Sequence, residues 1–279
     1  MNQLLNIGDK HPADIGRIVP RAMIARLGGE KAFATLWLSD ELRVHRRRDF
    51  GRVRNPVNGR RANKTSKFHT LKNDKAVVMN ESFIGERWRN AYFEIAPCVR
   101  RHWDQRWIVE IHDRDGACWS VPDSFLEGSD GSFAWVEGKT ALMLEDRPDG
   151  SKDLVSGLPE DTSGKQARTQ SAFRRAGYNF EVFDQAWSSH PIRVANFKMI
   201  LSAFRSLDFG EAERVAMDRL LSRDDLTVGE CARTFAGRAC PEEWVCAGMG
   251  HGVLEIDLER PIDRASRVSR PSAPFWSKP

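Results

Sequence analysis

Apolar residues recur along this chain with two different periods, and the change from one period to the other outlines the elements. Between Asn80 and Ile95 the residues Ile84, Trp88, Ala91, Tyr92 and Ile95 fall on one face of a helix. Pro97 stops that helix. From Arg106 the period shortens to two. Trp107-Ile-Val-Glu-Ile111 predicts a strand, Asp115-Gly116 a hairpin turn, and Ala117–Val121 the returning strand. Asp123-Ser-Phe-Leu126 reads as a continuation of that second strand, Gly128-Ser-Asp-Gly131 as the next turn, and Phe133–Lys139 as a third strand. A helix over about 165–176 precedes a fourth strand at Phe180–Phe183, and Pro191–Phe209 is helical. Residues 146–164, rich in Asp, Gly, Ser and Pro, read as a loop. Helix, strand meander, helix and strand together make a mixed α/β unit.

The flanks follow different patterns. Before about residue 75 periodicity is poor, and Arg43-Val-His-Arg-Arg-Arg48 and Asn55–Arg61 read as a basic arm with turns. After residue 210, Thr227-Val-Gly-Glu230 fits a capping box that opens a short helix to about Ala236. Pro241 suits the first turn of a second helix, Glu242–Met249, broken by Gly250 and Gly252. Val253–Leu258 then alternates like a strand or wing. The expected division is a basic region over 1–75, a core over 76–209, a small winged-helix-like domain over 210–268 and an extended tail over 269–279.

Composition narrows the class. At 279 residues, 41% hydrophobic and 29% charged, the chain is long enough to bury a real core. No apolar run approaches the roughly 20 residues that span a bilayer, and Met1–Lys10 lacks the pattern of a signal peptide. The expectation is a cytoplasmic protein without a membrane partner. Five cysteines without a CxxC pair fit reduced thiols better than a disulfide framework or a zinc knuckle. The net charge of +4 hides an uneven distribution. From Arg43 to Lys75 there are twelve Lys or Arg and two acids, whereas from Glu110 to Asp161 there are thirteen acids and four bases. A basic block beside an acidic one suits a protein that grips a polyanion and holds cations next to it. Arg46, Arg47, Arg48, Arg60, Arg61 and Lys64 are the candidate phosphate contacts, against the plainer reading of a solvated surface. The nine tryptophans fit packing better than base stacking. The histidines form no HxxxH or HNH-type pair, and His102 and His112 read as surface residues.

The candidate chemistry lies in Pro122-Asp123 followed, after thirteen intervening residues, by Glu137-Gly-Lys139. Phosphodiester hydrolysis uses a hard divalent cation held by oxygen ligands. Glu137 and Lys139, two apart on a strand, project to the same side. Asp123, on the strand that the Gly128–Gly131 turn pairs with it, reaches the same point. Proline is tolerated at a strand end, where its missing N–H costs little. A lysine there can orient water or stabilise developing charge. The plainer alternative is two acids and a lysine on an exposed hairpin. A third acid would come from the upstream helix, where Glu86 lies off the apolar stripe and Glu81 competes with it.

These motifs, in this order and spacing, resemble the TnsA family of heteromeric transposase endonucleases. Glu81-Ser-Phe-Ile-Gly-Glu-Arg87 resembles the family's helix motif, Val121-Pro-Asp-Ser-Phe-Leu126 its PD strand and Trp135-Val-Glu-Gly-Lys139 its E/QxK strand. Ala96-Pro-Cys-Val99, Gln105, Gly177–Val182 and Asn196 fall at the family's intervals, and Leu226–Glu230 with Val245–Val268 resembles its C-terminal region. Coverage is about residues 60–268. The resemblance implies a restriction-endonuclease-like PD-(D/E)XK core with Glu86, Asp123, Glu137 and Lys139 as catalytic positions. The first three would be ligands of Mg²⁺, or of Mn²⁺ in its place. It also implies cleavage of the 5′ ends of a transposon in double-stranded DNA, a DDE-type transposase as partner, and an AAA+ regulator touching the C-terminal domain. Two departures stand out: one extra residue between Ser82 and Glu86, and Gly138 where a branched residue is usual, which should loosen the strand. A free-standing nuclease in defence or phage DNA processing would carry the same residues. A non-enzymatic DNA-binding scaffold would be expected to have lost an acid or the lysine.

Overall fold

The computed structural model describes residues 23–54, 66–73, 76–80, 85–114, 116–139, 142–146, 152–156 and 165–276. Two four-stranded sheets dominate. The first runs β1-β2-β6-β7 and is antiparallel throughout, with β1 Phe33–Trp37, β2 Leu42–Arg47, β6 Trp107–Asp113 and β7 Gly116–Ser120. The second runs β12-β9-β8-β5, with β5 Val99–Asp104, β8 Ser124–Gly128, β9 Phe133–Lys139 and β12 Asn179–Asp184. Here β5, β8 and β9 are antiparallel and β12 lies parallel to β9. Helix α1 (Gly85–Ile95) packs against β5 and β9. Helix α2 (Lys165–Arg175) makes the crossover into β12 that a parallel pair requires. The chain is a mixed α/β protein.

Alternation explains why the sheets face each other. Leu42, Val44, Trp107, Val109 and Ile111 from the first sheet meet Phe125, Trp135, Phe173 and Phe180 in one buried cluster. Trp135 is fully enclosed and contacts Phe125, Trp107 and Phe173 at ring-centroid distances of 5.0, 5.7 and 4.9 Å. Packing is therefore the role of this tryptophan and of Trp107.

Several sequence expectations are corrected. Asn80 ends strand β4 (Val77–Asn80), which pairs with β3 (Ser66–His69), so the helix described begins at Gly85; Glu81 and Ile84 lie outside the described residues. Asp123–Leu126 does not continue β7. The chain leaves the first sheet at Val121 and enters the second at Ser124, and Pro122, with no N–H for a ladder, stands at the break. Of the segment read as a basic arm, Arg43–Arg47 belongs to strand β2, paired on both sides, and Asn55–Arg61 lies outside the described residues. The stretch read as a loop over 146–164 contains strand β11 (Lys152–Ser156), which pairs with β10 (Leu142–Asp146). His102 is fully buried rather than a surface residue, and His112 is tied to Glu110 at 3.0 Å.

The C-terminal part builds on α1. Helices α3 (Gln185–Ser189), α4 (Pro191–Ser206) and α5 (Glu211–Leu220) lead to α6 (Val228–Ala232) and α7 (Pro241–Gly250). Thr227 caps α6 with Glu230 reaching back, as the capping box predicted, and Pro241 occupies the first turn of α7. Only Glu255–Ile256 of the expected wing is a strand (β14). It joins β15 (Arg267–Ser269) and β13 (Leu226–Thr227) in a small antiparallel sheet. One hydrophobic cluster runs from Ala91 and Ile95 through Phe197 and Ile200 to Val245, Leu254 and Val268. The tail returns to the second sheet, where Trp276 is buried and donates its indole N–H to Ser132 Oγ at 2.7 Å. Among the described residues no helix is long and apolar enough to cross a membrane.

The far end of α1 is held by charge as well as by the apolar contacts of Phe93 and Ile95. Glu94 is fully buried, meets His102 Nε2 at 3.0 Å and accepts from the Thr70 hydroxyl and the Leu71 amide. Burial pushes its carboxyl up, but His102, Thr70 and Leu71 outweigh that and hold it below its ordinary value of 4.5. A carboxylate so depressed contributes stability above the ordinary carboxylate range and loses it as pH falls through that range. Glu94→Gln should therefore cost about 3–5 kcal/mol near neutral pH, the usual loss on breaking a buried pair. It should also flatten the fall in stability below pH ~4.5. Urea unfolding of both proteins across pH 3–7 checks this; parallel pH curves would contradict it.

Candidate active site

The strand end at Asp123 is where the two sequence motifs meet. Pro122 ends the first sheet, and the backbone at Asp123 is fixed by the Gln105 N–H donating to its carbonyl at 3.2 Å. Beside it runs β9, with Ser124 opposite Val136. This register brings the Gly138 N–H to Asp123 Oδ2 at 2.8 Å. Glu137 and Lys139 project together, as their spacing predicted, and Lys139 Nζ donates to Glu137 Oε1 at 2.8 Å. Asp123 and Glu137 lie close enough for the charge of one to act on the other. Burial first, and then the Asp123 carboxylate, push the Glu137 carboxyl above its ordinary value, while Lys139 and Arg89 pull it back.

A residue that periodicity did not single out completes this cluster. Arg89 lies one turn beyond Glu86 on α1, is 1% exposed, and places Nη1 3.1 Å from Asp123 Oδ2. The signal was present in the sequence as an arginine three residues after a glutamate on a helix, a spacing that puts both on one face. Its burial, which gives it meaning, is a tertiary fact.

Gly138 is explained by the same packing. Alternation turns this position away from Glu137 and Lys139, toward α1. A Cβ there would collide with Arg89 Nη1 and with the side-chain amide of Gln185. The Gln185 side chain also fills the space that a Cβ at Gly85 would need, so it wedges between the start of α1 and β9. Gly138 does not loosen the strand: it stays in register opposite Phe183 on β12.

Glu86 occupies the first turn of α1 and is 9% exposed, which removes the plain reading of a solvated helix glutamate. It does not join the other two acids as a third ligand. Among the described residues, no three His, Cys, Asp or Glu side chains converge to hold a metal ion. Asp123 and Glu137 therefore form a pair. The pair suits a hard cation: Glu137 Oε2 is buried and has no hydrogen-bond partner. A buried carboxylate oxygen left so is costly unless a cation satisfies it. Mg²⁺ is commonly bound by one or two carboxylates, with water and substrate phosphate completing its shell.

The candidate DNA contacts divide. Arg46 is half-buried, with its guanidinium over the Phe50 ring at 4.8 Å and near Trp107 at 5.8 Å. Burial, and secondarily Arg48, lower its pKa. Arg47 donates to Asp49 at 2.9 Å, and exposed Arg48 donates to the Lys31 carbonyl at 3.0 Å. Arg60, Arg61 and Lys64 lie outside the described residues. A scan against protein-family models finds no match, and a search of curated proteins finds no relative of this chain.

Side-chain packing at position 138 yields a stability prediction. Gly138→Ala should cost about 1–3 kcal/mol by forcing Arg89 and Gln185 out of place. Combining it with Gln185→Ala should cost less than the sum of the two single changes, because they contend for one space. Urea denaturation of the four proteins in the cycle measures this; strict additivity would show that the two sites do not contend.

Proposed function

We propose that this protein is a metal-dependent DNA endonuclease with a restriction-endonuclease-like core. The observation that carries the reading is the Asp123–Glu137–Lys139 arrangement: two close carboxylates, one just before strand β8 and one on the neighbouring β9, a lysine bonded to one of them, and a buried carboxylate oxygen without a partner. Asp123 and Glu137 would hold Mg²⁺, or Mn²⁺ in its place. Bound there, the ion would supply Lewis-acid activation of water and charge neutralisation at the phosphorus. Lys139, held by Glu137, places an ammonium where negative charge grows during attack and lowers the barrier by electrostatic stabilisation. Glu86, buried one helical turn before Arg89, stands outside this metal pair.

The order of motifs favours a TnsA-like role within this class. In that role the protein would cut the 5′ ends of a transposon in double-stranded DNA beside a DDE-type transposase, under an AAA+ regulator contacting the winged-helix-like C-terminal region, in the cytoplasm. A free-standing nuclease is the second reading, and the same assay separates the two.

Supercoiled-plasmid nicking with Mg²⁺ or Mn²⁺, with and without a DDE-type transposase, tests the proposal. Asp123→Ala and Lys139→Ala should each lower nicking by at least about 10²-fold, the scale of losing one preorganised electrostatic group, with far-UV circular dichroism unchanged. Cleavage by either variant at the wild-type rate would remove the site. Nicking only with the transposase would favour the transposon role, and nicking alone the free-standing one. Neutralising Arg60, Arg61 and Lys64 together should reduce the slope of log Kd against log salt by about 2–3, at roughly 0.9 per phosphate contact. An unchanged slope would exclude these three from the DNA interface.

A further inference from the structure

Resting on that metal-site reading, we infer that Arg89 is a resident cation at the centre and restricts it to a single divalent ion. The Asp123 carboxylate is already held on one side. Its Oδ2 accepts two hydrogen bonds, from Arg89 Nη1 at 3.1 Å and from the Gly138 N–H at 2.8 Å. A carboxylate oxygen has two lone pairs, so Oδ2 is saturated and Asp123 has only Oδ1 to offer a metal. Glu137 Oε1 accepts one hydrogen bond, from Lys139, and the buried Oε2 accepts none, which makes Oε2 the more open oxygen. Two carboxylates thus present one open oxygen each, which suits one shared ion. Two ions between them would require bridging or bidentate carboxylates.

Charge gives the same answer. Asp123 and Glu137 stand against Arg89 and Lys139, two negative groups against two positive ones. One divalent ion makes this set positive enough for a phosphodiester, which carries a single negative charge. A second ion would add its charge beside a guanidinium with nowhere to go. Arg89 is enclosed by the contacts that also forbid a Cβ at Gly138, and its side chain is 2% exposed. Moving it would strand a charge out of water without its counter-ion, which is strongly unfavourable. Arg89 is therefore a positioning residue: it orients Asp123 and stands where a second ion would otherwise bind.

Mn²⁺ titration followed by electron paramagnetic resonance of the free ion tests the inference without reference to cleavage. Wild-type protein should bind one Mn²⁺ per chain at a site lost in Asp123→Asn. Arg89→Gln, checked for folding by circular dichroism, should take two; Arg89→Lys, which keeps the charge, should take one. Two ions per wild-type chain, both lost in Asp123→Asn, would overturn the inference and leave the metal site standing. A folded Arg89→Gln protein that stays at one ion would overturn it as well. No Mn²⁺ bound to the wild type at all would overturn the metal-site reading and this inference together. If Arg89→Gln does not fold, the wild-type and Arg89→Lys stoichiometries still decide.

Discussion

A guanidinium withdrawn from water needs a counter-charge, and in this protein that need organises the candidate site. Arg89 reaches from a helix to the end of a strand, and Asp123 is the acid it pairs with. The pairing requires that β8 begin at Ser124, which Pro122 enforces by interrupting the first sheet. It requires β9 in the register that brings the Gly138 N–H to the same oxygen. It also requires glycine at 138, since any side chain would occupy the space the guanidinium crosses. Three separated pieces of chain are thus constrained by one ion pair. A buried pair of this kind adds little net stability but is expensive to break, and it serves better as a register pin than as a source of folding energy.

The helix that carries Arg89 is pinned at its other end by a second buried charge system. Glu94 binds His102, Thr70 and the Leu71 amide. Lys72 donates to the carbonyls of Phe93, Ala96 and Val99 at 3.1, 2.7 and 2.6 Å. The last carbonyls of a helix lack partners within it, and a lysine supplies both hydrogen bonds and favourable charge at that pole. The Lys72 residue as a whole is half-buried, but its ammonium is enclosed, and burial draws its pKa down to about 8. Between the two polar anchors, Ala91, Phe93 and Ile95 bury the apolar face. A helix fixed at both ends by charge and along its length by packing can slide only by breaking all three, which holds Glu86 and Arg89 in place relative to the strands.

Sequence reading recovered the parts of this arrangement that local rules determine. Strand alternation placed Glu137 beside Lys139, the turn at 128–131 paired their strand with that of Asp123, and the capping box at Thr227 opened a helix. The parts it missed depend on tertiary partners. The spacing to Glu86 puts Arg89 on that residue's face of the helix, but a solvated arginine can share that spacing, and only the strand end opposite marks this one as buried. His102 has no local pattern that marks it for the interior, and its burial follows from Glu94, eight residues away, turning inward with it. Gly138 looked like a weakness of the strand because a glycine's missing side chain is visible in sequence, whereas the Arg89 and Gln185 side chains that fill the space are not.

The basic block shows the same limit in electrostatic form. A run rich in arginine invites a nucleic-acid reading because charge on the surface attracts polyanions, but sequence counts charge without locating it. Arg43 is buried and donates to Glu110 at 2.6 Å, with His45 on the same carboxylate at 3.1 Å. Burial pushes the Glu110 carboxyl up, yet hydrogen bonds from His45 and Arg43 hold it far below the usual range. Arg52 pairs with buried Asp104, which also accepts from the Met79 amide at 2.8 Å. Arg43 neutralises Glu110, at the start of the acidic block, from the opposite position of a strand ladder, and Arg52 neutralises Asp104 just outside that block. A basic segment and an acidic segment that are far apart in sequence can thus be two sides of one internal network. The charge left for a polyanion is what remains after those pairs are formed, and among the described candidates Arg48 is the one that stands exposed.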